Sequence, residues 1–346
     1  MVLESRALTE WSVAAPFTLD AERDLWLAPF VPPGRHRFRL VPALAEASWH
    51  ERAARTAGAN DWKNAWSQGR AACRAGRDGV ITVFPQLAFV VGLHQRFGRP
   101  RAVVAWCFNL GGLYGGVKRA AARAAFARVD RFIVHSRGEI ARYATWLGLP
   151  RERFRFVHLQ RADIPVVELE EQQAPFVLAM GSARRDYATL FEAVRASQLP
   201  TLVVAARHAL EGLTVPPNVE VRSSLTSEEC RRLAQRARVN VVPVLNQETA
   251  SGQVTLVEAM RMGRAVVATD CMGSEDYIED GVTGLLVPPR SVEALRGAID
   301  RLWEDAPLRR RLGQDAARYT AQHCSDESAG ATLAAVLDEV SAEKLR

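Results

Sequence analysis

The stretch Asn246-Gln-Glu-Thr-Ala-Ser-Gly-Gln-Val-Thr-Leu-Val-Glu-Ala-Met-Arg-Met-Gly-Arg-Ala-Val-Val-Ala-Thr269 decides how the chain folds. A polar, glycine-containing loop runs into a short helix, Gly263 ends the helix, and a β-branched strand over 265–269 follows. Backbone N–H groups in such a loop, together with the first turn of such a helix, form an anion site. Glu258 lies further along the same helix, and a carboxylate there suits the two hydroxyls of a ribose. The stretch reads as the holder of a nucleoside diphosphate.

Working outward, a chain of 346 residues suits two domains of roughly 150 residues each. Hydrophobic content of 48% and charged content of 24% fit a soluble globular protein. No apolar run approaches the ~18 residues of a membrane span. Residues 1–16 carry Glu4 and lack the basic-then-apolar order of a signal peptide. The expected location is therefore the cytoplasm. The five cysteines (Cys73, Cys107, Cys230, Cys271 and Cys324) are scattered and show no metal spacing, so they read as reduced thiols. Net charge is +6, unevenly spread: residues 1–165 hold 25 basic and 13 acidic side chains, the remainder 20 and 26. A basic N-terminal half points either to a solvated surface or to anionic lipid or phosphate-bearing partners.

From residue 79 onward strand and helix patterns alternate. Strands are expected over 80–84, 101–108, 131–135 and 154–159, and helices over 86–97 (ended near Gly98), 116–129 and 139–147. Before them, 25–31 and 36–41 look like short strands. A helix over 61–75 carries Trp62 and Trp66 at i, i+4, a stripe that reads more readily as core than as a sugar-stacking platform. Residues 166–175, bounded by Pro165 and Pro175, break the pattern as a linker. Alternation restarts at 176–180 and runs through the opening stretch to helices over 292–303, 308–323 and 329–340. Such alternation implies parallel sheets with helices on both faces.

Several segments, in order, resemble the retaining glycosyltransferases of family 4. They are Phe176-Val-Leu-Ala-Met-Gly-Ser182, Asp186-Tyr-Ala-Thr-Leu-Phe-Glu-Ala193, the run Ser251 to Thr269, Asp276-Tyr-Ile-Glu-Asp-Gly-Val-Thr-Gly-Leu-Leu-Val-Pro288, and Phe132-Ile-Val-His-Ser-Arg-Gly-Glu-Ile140. The resemblance covers 176–290 well, while residues 1–75 match nothing in it. It implies an α/β fold of GT-B type, two Rossmann-like doubly wound domains facing a central cleft. The boundaries expected are 1–165 for the acceptor domain and 166–325 for the nucleotide-sugar donor domain. A terminal helix in 326–346 would cross back to the first domain.

The resemblance also assigns roles. Glu258 occupies the second acid of the family's glutamate pair and would hold the ribose. Gly252, Gln253, Val254, Thr255 and Leu256 would face the diphosphate, the N–H groups of 254–257 among them, with Gly181 and Ser182 beside them. The first acid of the pair is replaced by Ala250, so Glu248 is the candidate stand-in, with Asn246, Ser251 and Gln253 as further polar candidates. Arg184 and Arg185 would neutralise the leaving phosphate, as metal-free enzymes require. The N-domain histidine of the family is missing, and Asn109 is the nearest polar candidate, with Gly111 and Gly112 allowing close backbone approach. His135 ends the next strand, where α/β folds place ligands.

The resulting expectation is a glycosyltransferase that moves a sugar from a nucleotide-diphosphate donor to a glycan, lipid-linked or small-molecule acceptor, with retention. It would use no metal and no cofactor beyond the donor. Rival readings are a non-catalytic nucleotide-sugar-binding subunit and a GT-B sugar-nucleotide epimerase. Lys118, Arg119, Arg123 and Arg128 on the 116–129 helix give a minority reading of peripheral contact with anionic membrane at its inner face. Nucleic acid is disfavoured because no reader motif accompanies the basic residues, and a nicotinamide dehydrogenase because no GxGxxG follows a strand.

Overall fold

The computed structural model describes residues 8–23, 25–44, 58–97, 101–245 and 248–345. The chain divides into two units, one built from residues up to Val157 and from Asp326 onward, the other from His158–Ser325.

In the first unit the order is β1 (Thr9–Ala14), β2 (His36–Val41), α1 (Ala59–Ala75), β3 (Gly79–Val83), α2 (Pro85–His94), β4 (Ala102–Trp106), α3 (Gly116–Phe126), β5 (Arg131–Val134), α4 (Arg137–Leu147) and β6 (Phe154–Phe156). The second unit holds β7 (Val177–Met180), α5 (Tyr187–Ser197), β8 (Thr201–Val204), β9 (Val219–Arg222), α6 (Ser227–Arg236), β10 (Val239–Val242), α7 (Gln253–Arg261), β11 (Val266–Thr269), β12 (Leu285–Val287), α8 (Val292–Glu304) and α9 (Ala306–His323). The last helix, α10 (Asp326–Leu345), packs in the first unit.

Every pairing between these strands is parallel. The central strands are short apolar runs such as Val-Ile-Thr-Val and Ala-Val-Val-Ala-Trp, buried along their whole length as sheets covered on both faces require. The first sheet runs β2-β1-β3-β4-β5-β6 and reverses direction of travel between β1 and β3. The second runs β12-β11-β10-β7-β8-β9 and reverses between β7 and β10. In open parallel sheets these reversals are where the strand carboxyl ends leave a crevice for ligands.

On one face of the first sheet, Leu87, Val90, Val91, Phe126, Phe132 and Tyr143 from α2 to α4 and β5 form the core. The opposite face is closed by α10, whose Leu333, Val336, Leu337 and Val340 cover Trp11, Ile81 and Val104. Gly330 lets α10 lie on the Phe30 carbonyl, which an added Cβ would approach to 2.3 Å. The basic α3 packs Ala122, Ala125 and Phe126 inward. Its Arg119 and Arg123 donate to the carbonyls of Trp146 and Leu147, satisfying the C-terminal end of α4.

Four expectations need correction. Residues 25–31 are not a strand but contain a single 3-10 turn, Ala28–Phe30, in which Pro29 offers no N–H for a ladder. The strand beside β2 is instead β1, whose residues Trp11 to Ala14 are buried. Trp62 and Trp66 are not core: they remain 41% and 47% exposed on α1. The division between units falls after Val157, and residues 166–175 are part of the second unit. There Gln235 Oε1 accepts from the N–H groups of Val167 and Glu168, and Glu170 pairs with Arg238 and Arg309. The polar run that looked like a solvated linker is spent on internal pairing. Gly98, expected to end a helix, lies outside the described residues, as do Asn246 and Gln247. Among the described residues no helix is long and apolar enough to cross a membrane.

The α2–α3 contact depends on Gly92, where an added Cβ would stand 2.2 Å from the Ala125 carbonyl oxygen. Gly92→Val is expected to lower unfolding free energy by about 1–3 kcal/mol. Denaturant titration measures it, and an unchanged midpoint would contradict the contact.

Candidate nucleotide site

Two loops meet at the reversal between β7 and β10. After β7 the chain passes through Gly181 at φ +114°, a conformation open to glycine. The Tyr187 hydroxyl donates to the Gly181 carbonyl at 2.6 Å, and burial pushes the phenol up to about 12, so its proton stays in place. Ser182 Oγ accepts from Ala206 N–H at 2.8 Å, which fixes the loop to the next strand's end. Arg184 is exposed and left-handed at φ +55°, and its carbonyl accepts from Leu245 N–H.

Arg185 turns back over the end of β7. Its Nε donates to the Met180 carbonyl at 2.9 Å, Nη1 to Ala183 at 3.0 Å, and Nη2 reaches Thr255 Oγ1 at 3.4 Å. Burial lowers its pKa, although a guanidinium remains charged under any ordinary condition. Glycine is needed on both sides of it. A Cβ at Gly181 would stand 2.5 Å from Nη2; one at Gly252 would stand 2.8 Å from Val242 Cγ1 and 3.4 Å from Nη1.

Gly252, at φ +84°, is the N-cap of α7. The Leu256 N–H already bonds the Gly252 carbonyl. The expectation that 254–257 all face the diphosphate is therefore too generous: the N–H groups of Leu256 and Val257 are spent inside the helix, and of these four only Val254 and Thr255 lie in the first turn, which has no intrahelical acceptor. With the helix dipole behind them and Arg185 beside Thr255, they form a site for anionic oxygens.

Glu258 follows Thr255 by three residues, on the same helical face and about 4.5 Å further along the axis. Its carboxylate is largely buried and lies 3.2 Å from Arg161 Nη2 and 4.0 Å from Arg231 Nε. Arg161 and Arg231 were not anticipated. Each comes from a segment remote in sequence, and no motif marks either one. Cys230, next to Arg231 on α6, has its thiol pushed up by burial and then by Glu258.

The sugar side differs from the family pattern. Ala250 is 5% exposed and packs on Gly273, whose φ is +102° and where an added Cβ would stand 2.9 Å from Ala250 Cβ. Glu248 is exposed. Gln253 is buried, with Nε2 reaching the Tyr277 hydroxyl at 3.4 Å, and Tyr277 also accepts from Leu159 N–H. Ser251 Oγ is buried without a hydrogen-bond partner among the described residues, as a polar atom awaiting a ligand would be. Among the described residues no three His, Cys, Asp or Glu side chains are grouped to hold a metal.

Asn109, Gly111, Gly112 and His135 lie in the first unit, apart in sequence and sheet from the residues above. Asn109 Oδ1 accepts from Gly111 N–H at 2.8 Å, and Leu110 N–H donates to the Tyr143 hydroxyl. Gly111 is left-handed, with open space around a would-be Cβ. His135 is 6% exposed. Its Nδ1 meets the Val157 carbonyl at 2.7 Å, so the proton sits there, and Nε2 meets the Cys107 thiol at 3.2 Å. Cys107, the residue after β4, is left-handed at φ +52°.

A doubly wound parallel sheet with a carboxylate one turn beyond the helix start at its topological reversal defines a domain of Rossmann type. Residues 160–305 match the family described as Glycosyl transferases group 1. The chain is 38% identical over 87 residues to the alpha-D-kanosaminyltransferase of Streptomyces kanamyceticus, covering 25% of this chain and 22% of that one. It spans less than half the length of the curated relatives it matches. Among solved structures, sucrose-phosphate synthase from Thermosynechococcus elongatus aligns with a TM-score of 0.71 at 16% identity, over 97% of this chain and 100% of that one. Anabaena HepE in complex with UDP-glucose aligns with a TM-score of 0.68 at 14% identity, over 96% and 100%. The chain has the GT-B fold, and the stretch that matches the glycosyl transferases group 1 family lies in its second unit.

Gly252→Ala is expected to cost about 1–3 kcal/mol of stability, from the left-handed backbone and the Val242 contact. It should also weaken nucleotide binding by moving the α7 N-terminus. Thermal unfolding and calorimetric titration with UDP and GDP check both, and an unperturbed variant would contradict the geometry.

Proposed function

We propose that the chain is a retaining glycosyltransferase of family 4 type, which moves a sugar from a nucleoside diphosphate donor to a hydroxyl of a glycan, lipid-linked or small-molecule acceptor. One observation carries this reading: the Arg185 guanidinium and the first-turn N–H groups of Val254 and Thr255 converge at the β7–β10 reversal, one helical turn from Glu258. The diphosphate would lie on Arg185, Thr255 and the α7 N-terminus, and the ribose hydroxyls on Glu258, oriented by Arg161 and Arg231. The UDP-glucose of the HepE neighbour supports a uridine donor.

In this reading the acceptor oxygen attacks the anomeric carbon on the face from which the diphosphate departs. The bond from that carbon to the phosphate oxygen breaks, and the acceptor proton passes to the leaving phosphate. Charge growing on the diphosphate is met by fixed positive groups, Arg185 foremost, with Arg184 at the rim, and these need no reorganisation as the bond breaks. No metal is assigned a step. Asn109, Gly111, Gly112 and His135 belong to the acceptor side of this proposal.

A second reading, a nucleotide-sugar-binding subunit without transfer, has Ala250 in its favour, since this residue packs on Gly273 and brings no carboxylate to the sugar side. Transfer with retained activity would then require Glu248 or Ser251 to hold the sugar.

Glu258→Ala is expected to weaken UDP or GDP binding at least about tenfold, and Arg185→Met about 10- to 100-fold, as loss of charge-assisted bonds implies. Calorimetry reads the affinity. Nucleoside diphosphate release with a panel of sugar donors, with and without EDTA, reads transfer and its metal independence. If no nucleotide sugar binds and both variants behave as the parent, the proposal is lost. Binding without release in the presence of acceptors selects the second reading.

A further inference from the structure

The outer face of α1 and the turn after α2 carry an arrangement that nucleotide chemistry does not use. Trp62 and Trp66 stand exposed on α1 and lean toward α2, Trp62 edge-on to Phe89 at 5.7 Å and Trp66 over His94 at 4.6 Å. Beyond His94 the chain turns through Arg96 to Phe97, which is 90% exposed. Lys63, Arg70 and Arg74 are exposed on α1. Burial, followed by the charges of Arg70 and Arg74, lowers the pKa of His94, so both arginines stand beside the same aromatic cluster. Within the helices α1, α2 and α3 the one acid is Asp61, and its carboxylate is occupied at the N-terminus of α1, accepting from Gly58 N–H at 2.8 Å.

We propose that this face docks on an anionic phospholipid surface. Exposed tryptophan and phenylalanine rings settle at the headgroup level, with their apolar bodies toward the acyl boundary. Each lysine or arginine held near an anionic leaflet strengthens binding about fivefold. A neutral glycan would stack on the tryptophans without calling for the cations around them, whereas anionic headgroups use both. The basic helix α3 is less suited, because its Arg119 and Arg123 are committed to the α4 carbonyls. The face sits on the unit assigned above to the acceptor. Docking there would bring that unit to lipid-linked substrates, an extension that rests on the proposed function, while lipid binding itself does not.

The test is sedimentation of the full chain with phosphatidylglycerol–phosphatidylcholine vesicles and with phosphatidylcholine vesicles alone, at about 0.05 and 0.5 M salt. Binding is expected to the anionic vesicles only and to fall at high salt. Lys63→Glu/Arg70→Glu/Arg74→Glu should lower partition about 100-fold. Trp62→Ser/Trp66→Ser should lower it several-fold and remove the blue shift of tryptophan fluorescence on binding. Far-UV circular dichroism and UDP or GDP titration establish that the variants remain folded and whether the donor site works, so failure of the nucleotide reading registers separately. Equal binding to both vesicle types, no binding to either, or unchanged binding by the folded charge-reversal variant would overturn the proposal. So would a tryptophan response to soluble oligosaccharide in place of lipid, or a dimer that depends on Trp62 and Trp66.

Discussion

The Arg185 guanidinium lies against the carbonyls of Met180 and Ala183 and reaches Thr255, and that position constrains the residues around it. A half-buried cation needs acceptors on its covered side. Met180, the last residue of β7, and Ala183, in the loop after it, supply two of them. Room for the fold-back requires no side chain at 181 and none at 252, and both positions are glycines with positive φ. The antiparallel bridge between Arg185 and Val244, and the Leu245 N–H bond to the Arg184 carbonyl, then tie the β7 loop to the β10 loop. The start of α7 is thus aimed by the same guanidinium that would meet its ligand.

The two sheets reach comparable ligand edges by different routes. In the second, the order places β7 and β10 side by side at the reversal, and both strands are buried over nearly their whole length. In the first, the reversal lies at β1 and β3, and backbone strain gathers at the ends of β3 and β4. Phe84 sits at φ +73° and Cys107 at φ +52°. Conformations of that kind persist where surrounding structure over-determines them. Here that structure includes the Phe84 N–H bond to the Trp106 carbonyl and the His135–Cys107 contact.

What the sequence made legible was whatever repeats locally. The β-branched runs of β3, β4, β10 and β11 and the loop-to-helix turn at Gly252 each state their backbone conformation in a few adjacent residues. Strand β1 escaped because Thr9-Glu-Trp-Ser begins polar, and its burial comes from neighbours contributed by β3 and by α10, more than 300 residues away. Separation along the chain, by 97 and 27 residues, likewise hid Arg161 and Arg231 from a reading centred on Glu258. Leu256 was misjudged for a subtler reason. The first helical hydrogen bond closes on the Gly252 carbonyl, so a shift of one residue in the helix start decides whether an N–H is available. Trp62 and Trp66 failed as core because spacing at i, i+4 gives a common face but not which side of the helix that face is on.

Charge counted along the sequence and charge carried by a domain are also different quantities. Joining α10 to the first unit brings in Asp338, Glu339 and Glu343, which pair with Arg35, Arg155 and Arg131, and Lys344 pairs with Asp130. The unit then holds 26 basic and 17 acidic side chains, a formal +9, against +12 for residues 1–165. Arg119, Arg123 and Arg153 are further tied to backbone carbonyls at helix ends. These positive groups hold the unit together and contribute little outward field, because each is matched by an acid or a helix C-terminus. On α1, Lys63, Arg70 and Arg74 stand exposed on the same face as Trp62 and Trp66. Part of the basic asymmetry of the sequence thus lies on one face, together with the exposed rings of Trp62, Trp66 and Phe97.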